Sequence, residues 1–287
     1  MIPQDLEAEL RKQFGLSLFG AQPVGGGCIH QAFRLETSEG PRFFKFNRLV
    51  ELPNLNSELL GLTSLSQTQT LRTPRPFGII QTGQHVGLLM EFLEASSPQG
   101  PYWESFGHQL AQFHSIPQTL FGWESDNFIG RLPQHNPQMS SWIDFFVQAR
   151  ISPLLKDAVR HSQLNSKDWD QWEKLMPSLP DIFPDEPPAM IHGDLWGGNI
   201  LAVDGGNSPA WIDPSVHCSH REMELAFMTL FDRIPDSFYR AYEEVYPLSP
   251  NWLERWDLYN LYPLLVHVRL FGGNYASSFR QHLRRYL

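Results

Sequence analysis

An apolar run that ends in His192-Gly193-Asp194 is the feature that most limits what this chain can fold into. Asn199 follows Asp194 by five positions, and Asp213 follows a second apolar run fourteen positions after Asn199. Protein kinases use the same residue types with the same Asp-to-Asn spacing: one carboxylate orients the attacking hydroxyl and accepts its proton, while a carboxamide and a second carboxylate hold magnesium against the phosphates. The pattern therefore predicts phosphoryl transfer to a small molecule or a modified side chain.

The same residues are also common in surface turns, and residues 197–199 on their own would fit such a turn. Their flanks favour the catalytic interpretation. Met190-Ile191 before the motif and residues 200–203 after it are apolar and short, as buried strands are. Residues 210–212 predict a further strand that ends at Asp213. Strands that deliver polar residues to one place indicate a site.

A run of glycines near the N-terminus predicts a second part of this site. Gly25, Gly26 and Gly27 precede Cys28, and glycines let backbone N–H groups approach phosphate oxygens closely. Alternating apolar residues then predict a β-hairpin through residues 31–46. The segment is neither G-x-x-x-x-G-K-[ST] nor G-x-G-x-x-G, and a glycine triplet alone is more often a turn.

Lys45 lies between two phenylalanines on the second strand of this hairpin. Such strand lysines usually face solvent, but a kinase directs one to the phosphates and pairs it with a glutamate on the next helix. Residues 54–66 predict that helix, with Asn54 or Asn56 as its cap. Glu58 borders its apolar face, which makes it the candidate partner of Lys45.

An apolar strand over residues 85–94 turns polar at Glu91. It is either a plain buried strand or the last strand before a hinge. In the second case the Glu91 carbonyl and the Leu93 amide bind the adenine edge. We therefore predict an N-terminal nucleotide-binding lobe over residues 1–90, a hinge over 91–95 and a C-terminal catalytic and substrate lobe over 96–287.

The composition excludes several classes of protein. The 287 residues have a formal net charge of −9, which argues against a general nucleic-acid binder. No window is apolar enough for a membrane span and the first residues do not resemble a signal peptide, so we expect a cytoplasmic protein. Two cysteines, Cys28 and Cys218, cannot form a secreted disulfide framework, and no zinc motif is present.

Helical periodicity dominates the rest of the chain. Residues 103–114 predict a helix in which His114 is a structural hydrogen-bonding residue. Residues 120–137 lack periodicity and predict a loop. A helix from Trp142 is expected to kink or break at Pro153, and a late helix over residues 253–271 to be interrupted at Pro263.

Taken together, the motifs resemble the fructosamine 3-kinase (ketosamine kinase) family, which is related to aminoglycoside phosphotransferases and choline kinases. The resemblance spans nearly the whole chain and is most specific at two segments: Asp126-Asn127-Phe128-Ile129-Gly130 and His192-Gly193-Asp194-Leu195-Trp196-Gly197-Gly198-Asn199. It implies an α+β, two-lobed protein-kinase-like fold with a small β-rich N-lobe and a larger, mainly helical C-lobe.

The resemblance also implies an ATP- and Mg²⁺-dependent activity. That family phosphorylates the sugar 3-hydroxyl of ketosamines, either small molecules or glycated proteins, and the unstable product then releases the sugar. By resemblance, Asp194 is the base, Asn199 and Asp213 bind magnesium, and Lys45 with Glu58 clamps the nucleotide phosphates. Trp196 forms either a wall of the sugar pocket or part of the C-lobe core.

Two other functions remain open from the sequence. One is a kinase for another hydroxyl, such as that of an aminoglycoside, choline or a sugar. The other is a pseudokinase, which the intact set of Lys45, Asp194, Asn199 and Asp213 disfavours. Related kinases form disulfide-linked dimers through a cysteine at the position of Cys28, so the resemblance implies either a monomer or a redox-sensitive homodimer. The other interpretations of Cys28 are a plain loop residue and, less favoured, an intramolecular bridge to Cys218.

Overall fold

A computed structural model of the protein describes residues 2–25 and 29–287. Within them the α-helices are α1 (Gln4–Phe14), α2 (Leu52–Gln67), α3 (Tyr102–His114), α4 (Trp142–Phe145), α5 (Ser152–Arg160), α6 (Ser166–Leu175), α7 (Leu179–Ile182), α8 (Arg221–Met228), α9 (Asp236–Val245), α10 (Trp252–Tyr259), α11 (Leu261–Phe271) and α12 (Tyr275–Leu283). The strands are β1 (Leu18–Pro23), β2 (Gln31–Thr37), β3 (Gly40–Arg48), β4 (Pro76–Gln81), β5 (His85–Glu91), β6 (Asn127–Ile129), β7 (Leu132–Gln134), β8 (Ala189–Ile191), β9 (Ile200–Val203), β10 (Ser208–Trp211) and β11 (His217–Ser219).

The chain divides into two compact units, each with its own core. The first contains the residues up to Phe106 together with Gly198–Ser215, and the second contains Gly107–Gly197 and Val216–Leu287. The predicted functional boundary at residues 91–95 stays a prediction. None of the helices in the described ranges is long and apolar enough to cross a bilayer.

The first unit is built on an antiparallel sheet whose strands follow the order β1-β2-β3-β5-β4 in the described part of the chain. Successive strand residues point to opposite faces. Phe44 and Leu89 pack in one apolar cluster with the buried residues of α1, while Leu88 packs in another with Leu55 and Leu62 of α2. The predicted hairpin, β2 with β3, and the helix after Lys45 are thus present.

The second unit is mainly helical, as predicted. Its core contains apolar side chains from α4 to α8 and from α10 to α12. Two short antiparallel pairs accompany the helices: β6 with β7, and β8 with β11. The predicted α+β composition, with a β-rich N-terminal region and a helical C-terminal portion, is confirmed.

Four local expectations were wrong. Neither Asn54 nor Asn56 caps α2, which begins at Leu52 with a proline in its first turn. The loop predicted over residues 120–137 contains the β6–β7 hairpin. Around Pro153 the chain passes from a π-helical turn into α5 without a break, because proline is tolerated in a first turn. For the same reason Pro263 lies inside α11, and the interruption falls at Asn260.

Candidate active site

An ion-pair cluster in the first unit, buried at Lys45 and Glu58 and open to solvent at Asp213, joins three of the predicted site residues. The Lys45 Nζ lies 2.6 Å from Glu58 Oε1 and 2.6 Å from Asp213 Oδ1. Strand alternation explains the direction of Lys45, since Phe44 and Phe46 enter the cluster with α1 and Lys45 points to the opposite face, where α2 packs. The structure therefore brings Lys45, Glu58 and Asp213 together.

The charges of this cluster are strongly coupled. Burial disfavours the ammonium of Lys45, but the carboxylates of Asp213 and Glu58 outweigh burial and raise the pKa of Lys45 above its usual value. Burial and the nearby Asp213 charge raise the pKa of the Glu58 carboxyl to about 7, although Lys45 opposes that shift. Lys45 is consequently a fixed cation at neutral pH, which is the charge that bound phosphates require.

A hairpin brings the segment of Asn199 next to that of Asp213. Strands β9 and β10 pair antiparallel, and the Ile212 N–H donates to the Asn199 carbonyl at 3.1 Å. Asn199 is buried, whereas the side chain of Asp213 is 45% exposed. Asp213 has a φ of +55°, a conformation that is uncommon outside glycine and is concentrated at functional sites.

Three residues of the predicted glycine-rich segment, Gly26, Gly27 and Cys28, lie outside the described residues. Gly25 follows β1, and the space where a Cβ would point is open. The phosphate-binding role of the segment and the redox role of Cys28 therefore stay predictions. The other cysteine, Cys218, is a buried free thiol whose pKa burial raises to about 12.

The predicted hinge residues lie at the end of β5. The Glu91 carboxylate accepts a hydrogen bond from the Arg75 N–H at 3.1 Å and forms an ion pair with Arg72. Leu93 is half-buried. The side chain of Glu91 thus stabilises its own unit, and only backbone groups here are proposed to bind adenine.

In the second unit, the segment after β8 is held by a buried carboxylate. Glu224 on α8 accepts the N–H of His192 at 3.0 Å through Oε2 and the N–H of Gly193 at 2.8 Å through Oε1. Gly193 has a φ of +83°, which favours glycine at this turn. The next residue is Asp194, so Glu224 determines the course of the backbone that carries the predicted base.

His114 extends this network, as the structural role predicted for it requires. Its Nε2 lies 3.1 Å from Glu224 Oε2, and its Nδ1 lies 2.8 Å from the hydroxyl oxygen of Tyr242. Burial lowers the pKa of His114, so the ring is neutral, with Nε2–H donating to Glu224 and the Tyr242 hydroxyl donating to Nδ1. Both ring nitrogens of His114 therefore have hydrogen-bond partners, and His114 helps to hold the Glu224 carboxylate in place.

A pocket adjoins Asp194 in the same unit. Its sides are formed by apolar residues, among them Ile129, Phe227 and Val266. Tyr262 and His267 also line it; the Tyr262 hydroxyl donates to Gln134, and His267 Nδ1 donates to the Pro263 carbonyl at 2.7 Å. A mainly apolar cavity with a few convergent polar groups is typical of a small-molecule site.

Trp196 lies at the surface of this unit, two residues after Asp194. It is one of the large apolar residues that are exposed to solvent. Its ring packs edge-on against that of Phe231, with 6.3 Å between the ring centroids. The next N–H, that of Gly197, donates to Asp232 Oδ2 at 2.9 Å. These contacts hold the Trp196 segment against the turn that follows α8.

The model of the fructosamine kinase family matches residues 2–287. The chain belongs to the fructosamine kinase family. Among its relatives, a protein-ribulosamine 3-kinase (chloroplastic) of Arabidopsis thaliana is 37% identical over 261 residues, which cover 89% of this chain and 78% of that protein. A probable ketoamine kinase of Synechocystis is 35% identical over 267 residues, covering 92% and 89%.

Solved structures place this family member among kinase-like folds. A crystal structure from Thermobifida fusca, assigned as a fructosamine-3-kinase, has a TM-score of 0.89 and 33% identity and covers 99% of both chains. The aminoglycoside phosphotransferase APH(4)-Ia has a TM-score of 0.68 at 16% identity, also over 99% of both chains, and shows the fold alone. The predicted family and protein-kinase-like fold are confirmed.

No sequence motif predicts a role for Glu224 or Tyr242. The signal for Glu224 was its position in α8 between Met223 and Leu225, because a glutamate in an apolar helical run is seldom buried without a partner. Its partners were not predictable, since they come from backbone amides 31 and 32 positions away.

We expect Glu224→Gln to lower kcat about 10- to 100-fold. A glutamine offers one acceptor oxygen where the carboxylate accepts two backbone N–H groups, and hydrogen bonds to a charged acceptor contribute about 1.5–3 kcal/mol. Steady-state kinetics and thermal unfolding measure the effect. The matched control is Glu244→Gln, a side chain that is 67% exposed. Equal kcat values for both variants would contradict a positioning role for Glu224.

Proposed function

We propose that this protein transfers the γ-phosphoryl group of ATP to the sugar 3-hydroxyl of ketosamines such as fructosyl- or ribulosyl-lysine. The observation that carries the proposal is the family match over residues 2–287 together with the Lys45–Glu58–Asp213 cluster. A nucleotide-binding protein without catalysis would not need Asp194 beside a pocket. Other hydroxyl acceptors are outcomes of the test below.

In the proposed reaction Asp194 orients the sugar 3-hydroxyl and accepts its proton as the oxygen attacks the γ-phosphorus. The bond from that phosphorus to the bridging oxygen breaks, and ADP leaves with the electron pair. Lys45 binds the nucleotide phosphates, and Glu58 keeps its ammonium in place. The Gly25–Cys28 segment contributes backbone N–H groups, and the backbone of Glu91 and Leu93 binds adenine.

Asn199 and Asp213 are the proposed magnesium ligands. Magnesium prefers oxygen donors and is usually bound through one or two carboxylates completed by phosphates and water. The half-exposed carboxylate of Asp213 and the neighbouring Asn199 segment fit that preference. When bound, the ion neutralises charge on the phosphates. No larger cluster is needed, and the described residues contain no group of three His, Cys, Asp or Glu suited to a metal.

The acceptor is proposed to occupy the pocket beside Asp194. The Tyr262 hydroxyl already donates to Gln134, and His267 Nδ1 donates to the Pro263 carbonyl at 2.7 Å, so Asp194 and His267 Nε2 are the groups proposed to meet the sugar hydroxyls. The apolar sides suit the carbon skeleton. Trp196 is proposed as a wall of this site, since the residue is 37% exposed, follows Asp194 by two positions, and its ring stands against Phe231. Partners are therefore ketosamine small molecules or glycated proteins, and nucleic acids and membranes are not proposed as partners.

The biological role proposed here is repair of glycated amines. A 3-phosphorylated ketosamine loses inorganic phosphate by β-elimination, and water then hydrolyses the product to a deoxy dicarbonyl sugar and the free amine. We propose that this occurs in the cytoplasm. We also propose that Cys28 is redox-active and forms a disulfide between two copies of the chain. The support for this proposal is the position of Cys28 in the glycine-rich segment. The alternative to such a dimer is a monomer.

The decisive experiment is a panel of acceptors assayed with magnesium ATP. We expect fructosyl-lysine or ribulosyl-lysine to gain one phosphate by mass spectrometry and then to release free lysine. Unmodified lysine controls for transfer to the amine. Transfer to an aminoglycoside, choline or a free sugar, with none to any ketosamine, would replace the proposed acceptor. Nucleotide binding without transfer to anything would indicate a pseudokinase.

A further inference from the structure

A histidine next to the glycine-rich segment makes two hydrogen bonds that the proposed mechanism does not use. His30 directly precedes β2 and is half-buried. Its Nε2 lies 3.2 Å from Asn54 Oδ1 on α2, and its Nδ1 lies 3.2 Å from Asn47 Nδ2 on β3. Asn47 Nδ2 also donates to the Ile29 carbonyl at 2.8 Å.

The network defines the direction of each hydrogen bond. Asn47 Oδ1 accepts the N–H of Arg48 at 2.8 Å, so its Nδ2 is the donor to Ile29 and His30. His30 Nδ1 is then an acceptor, and Nε2–H donates to Asn54. Burial and the Lys45 charge lower the pKa of His30, in agreement with a neutral ring.

These partners lie on the same faces as the ion pair. Asn47 is two residues after Lys45 on β3, and alternate strand residues share a face. Asn54 is four residues before Glu58 on α2, and such residues share a helical face. The contact Asn47–His30–Asn54 is thus a second connection between strand and helix, beside Lys45–Glu58.

We propose that His30 is a positioning residue for nucleotide binding: it ties the chain just after the glycine-rich segment to the strand and the helix that carry Lys45 and Glu58. Residues 29 and 30 connect the glycine-rich segment to β2, so their position fixes the point at which the segment meets the sheet. The proposal rests on the nucleotide site proposed above and adds a residue to it. It leaves the acceptor pocket unaffected.

The test compares nucleotide and acceptor binding in His30→Ala and Asn54→Ala. We expect each variant to weaken binding of a fluorescent ATP analogue with magnesium, and to raise KM for ATP, about tenfold, the scale of one or two hydrogen bonds. KM for the ketosamine should not change. Asn54→Ala also guards against misfolding, because alanine favours a helix.

Matched controls are Asn56→Ala, an exposed asparagine on the same helix, and His85→Ala, a histidine of the same unit that contacts Asp5. The double variant His30→Ala/Asn54→Ala should bind the analogue no more than about tenfold more weakly than wild type, since both changes break one link. If the double variant bound the analogue about a hundredfold more weakly, His30 and Asn54 would contribute independently, which would contradict the proposed link between them.

Two further results would overturn the proposal. Unchanged analogue binding by folded His30→Ala would show that the contact positions nothing. An equal rise in both KM values, with a large drop in the melting temperature of both single variants, would show a general structural role. If wild type binds the analogue but phosphorylates no ketosamine, the proposed function fails while His30 remains testable by binding alone.

Discussion

Asp194→Asn should lose most of its turnover, with kcat lowered about 10²- to 10⁴-fold, and should retain its fold and its affinity for magnesium ATP. The asparagine keeps the size of the side chain but cannot accept the proton of the acceptor hydroxyl, and positioned proton transfer typically contributes that factor. The Asp194 N–H donates to the ring Nδ1 of His192 at 3.3 Å, and the Asp194 carbonyl accepts the Trp196 N–H at 3.2 Å. Both bonds use only backbone atoms of residue 194, so the loop should survive the change.

The measurement is the rate of phosphate transfer to a ketosamine, with binding of a fluorescent ATP analogue as the second readout. Asp170→Asn, on the exposed face of α6, controls for the loss of one negative charge. Turnover near that of wild type would remove Asp194 from the role of base. A parallel loss of analogue binding would assign it to the nucleotide site instead.

Lys45→Met should weaken both the fold and nucleotide binding. It removes the cation from a pair whose side chains are 6% and 8% exposed and leaves Glu58 buried without its charge partner. Removing one member of a buried ion pair costs about 3–5 kcal/mol in the free energy of unfolding. The phosphates also lose their fixed positive charge, so KM for ATP should rise sharply.

Two further variants separate these effects. Lys45→Met/Glu58→Gln removes both charges, so it should recover part of the unfolding free energy, measured by urea denaturation, but none of the affinity for magnesium ATP. Lys12→Met changes a lysine that is 74% exposed and should alter neither quantity. If Lys45→Met bound the nucleotide as wild type does, Lys45 would be a structural residue only.

The sequence by itself determined the family and the class of reaction, phosphoryl transfer. The spacing of Asp194, Asn199 and Asp213 predicts a catalytic loop, and such a prediction is possible from sequence because these residues lie near one another in the chain before any packing occurs. Lys45 and Glu58 were also readable, because strand alternation and helical spacing indicate which way each side chain points.

Only the tertiary structure decided which residues support that chemistry. Glu224 holds the backbone of His192 and Gly193, and His30 joins Asn47 to Asn54, across separations from 17 to 32 positions. Local periodicity carries no information about such partners, since any buried carboxylate or imidazole satisfies the same pattern. For the same reason the helix start at Leu52 and the β6–β7 hairpin were missed: packing, and not propensity, selected them.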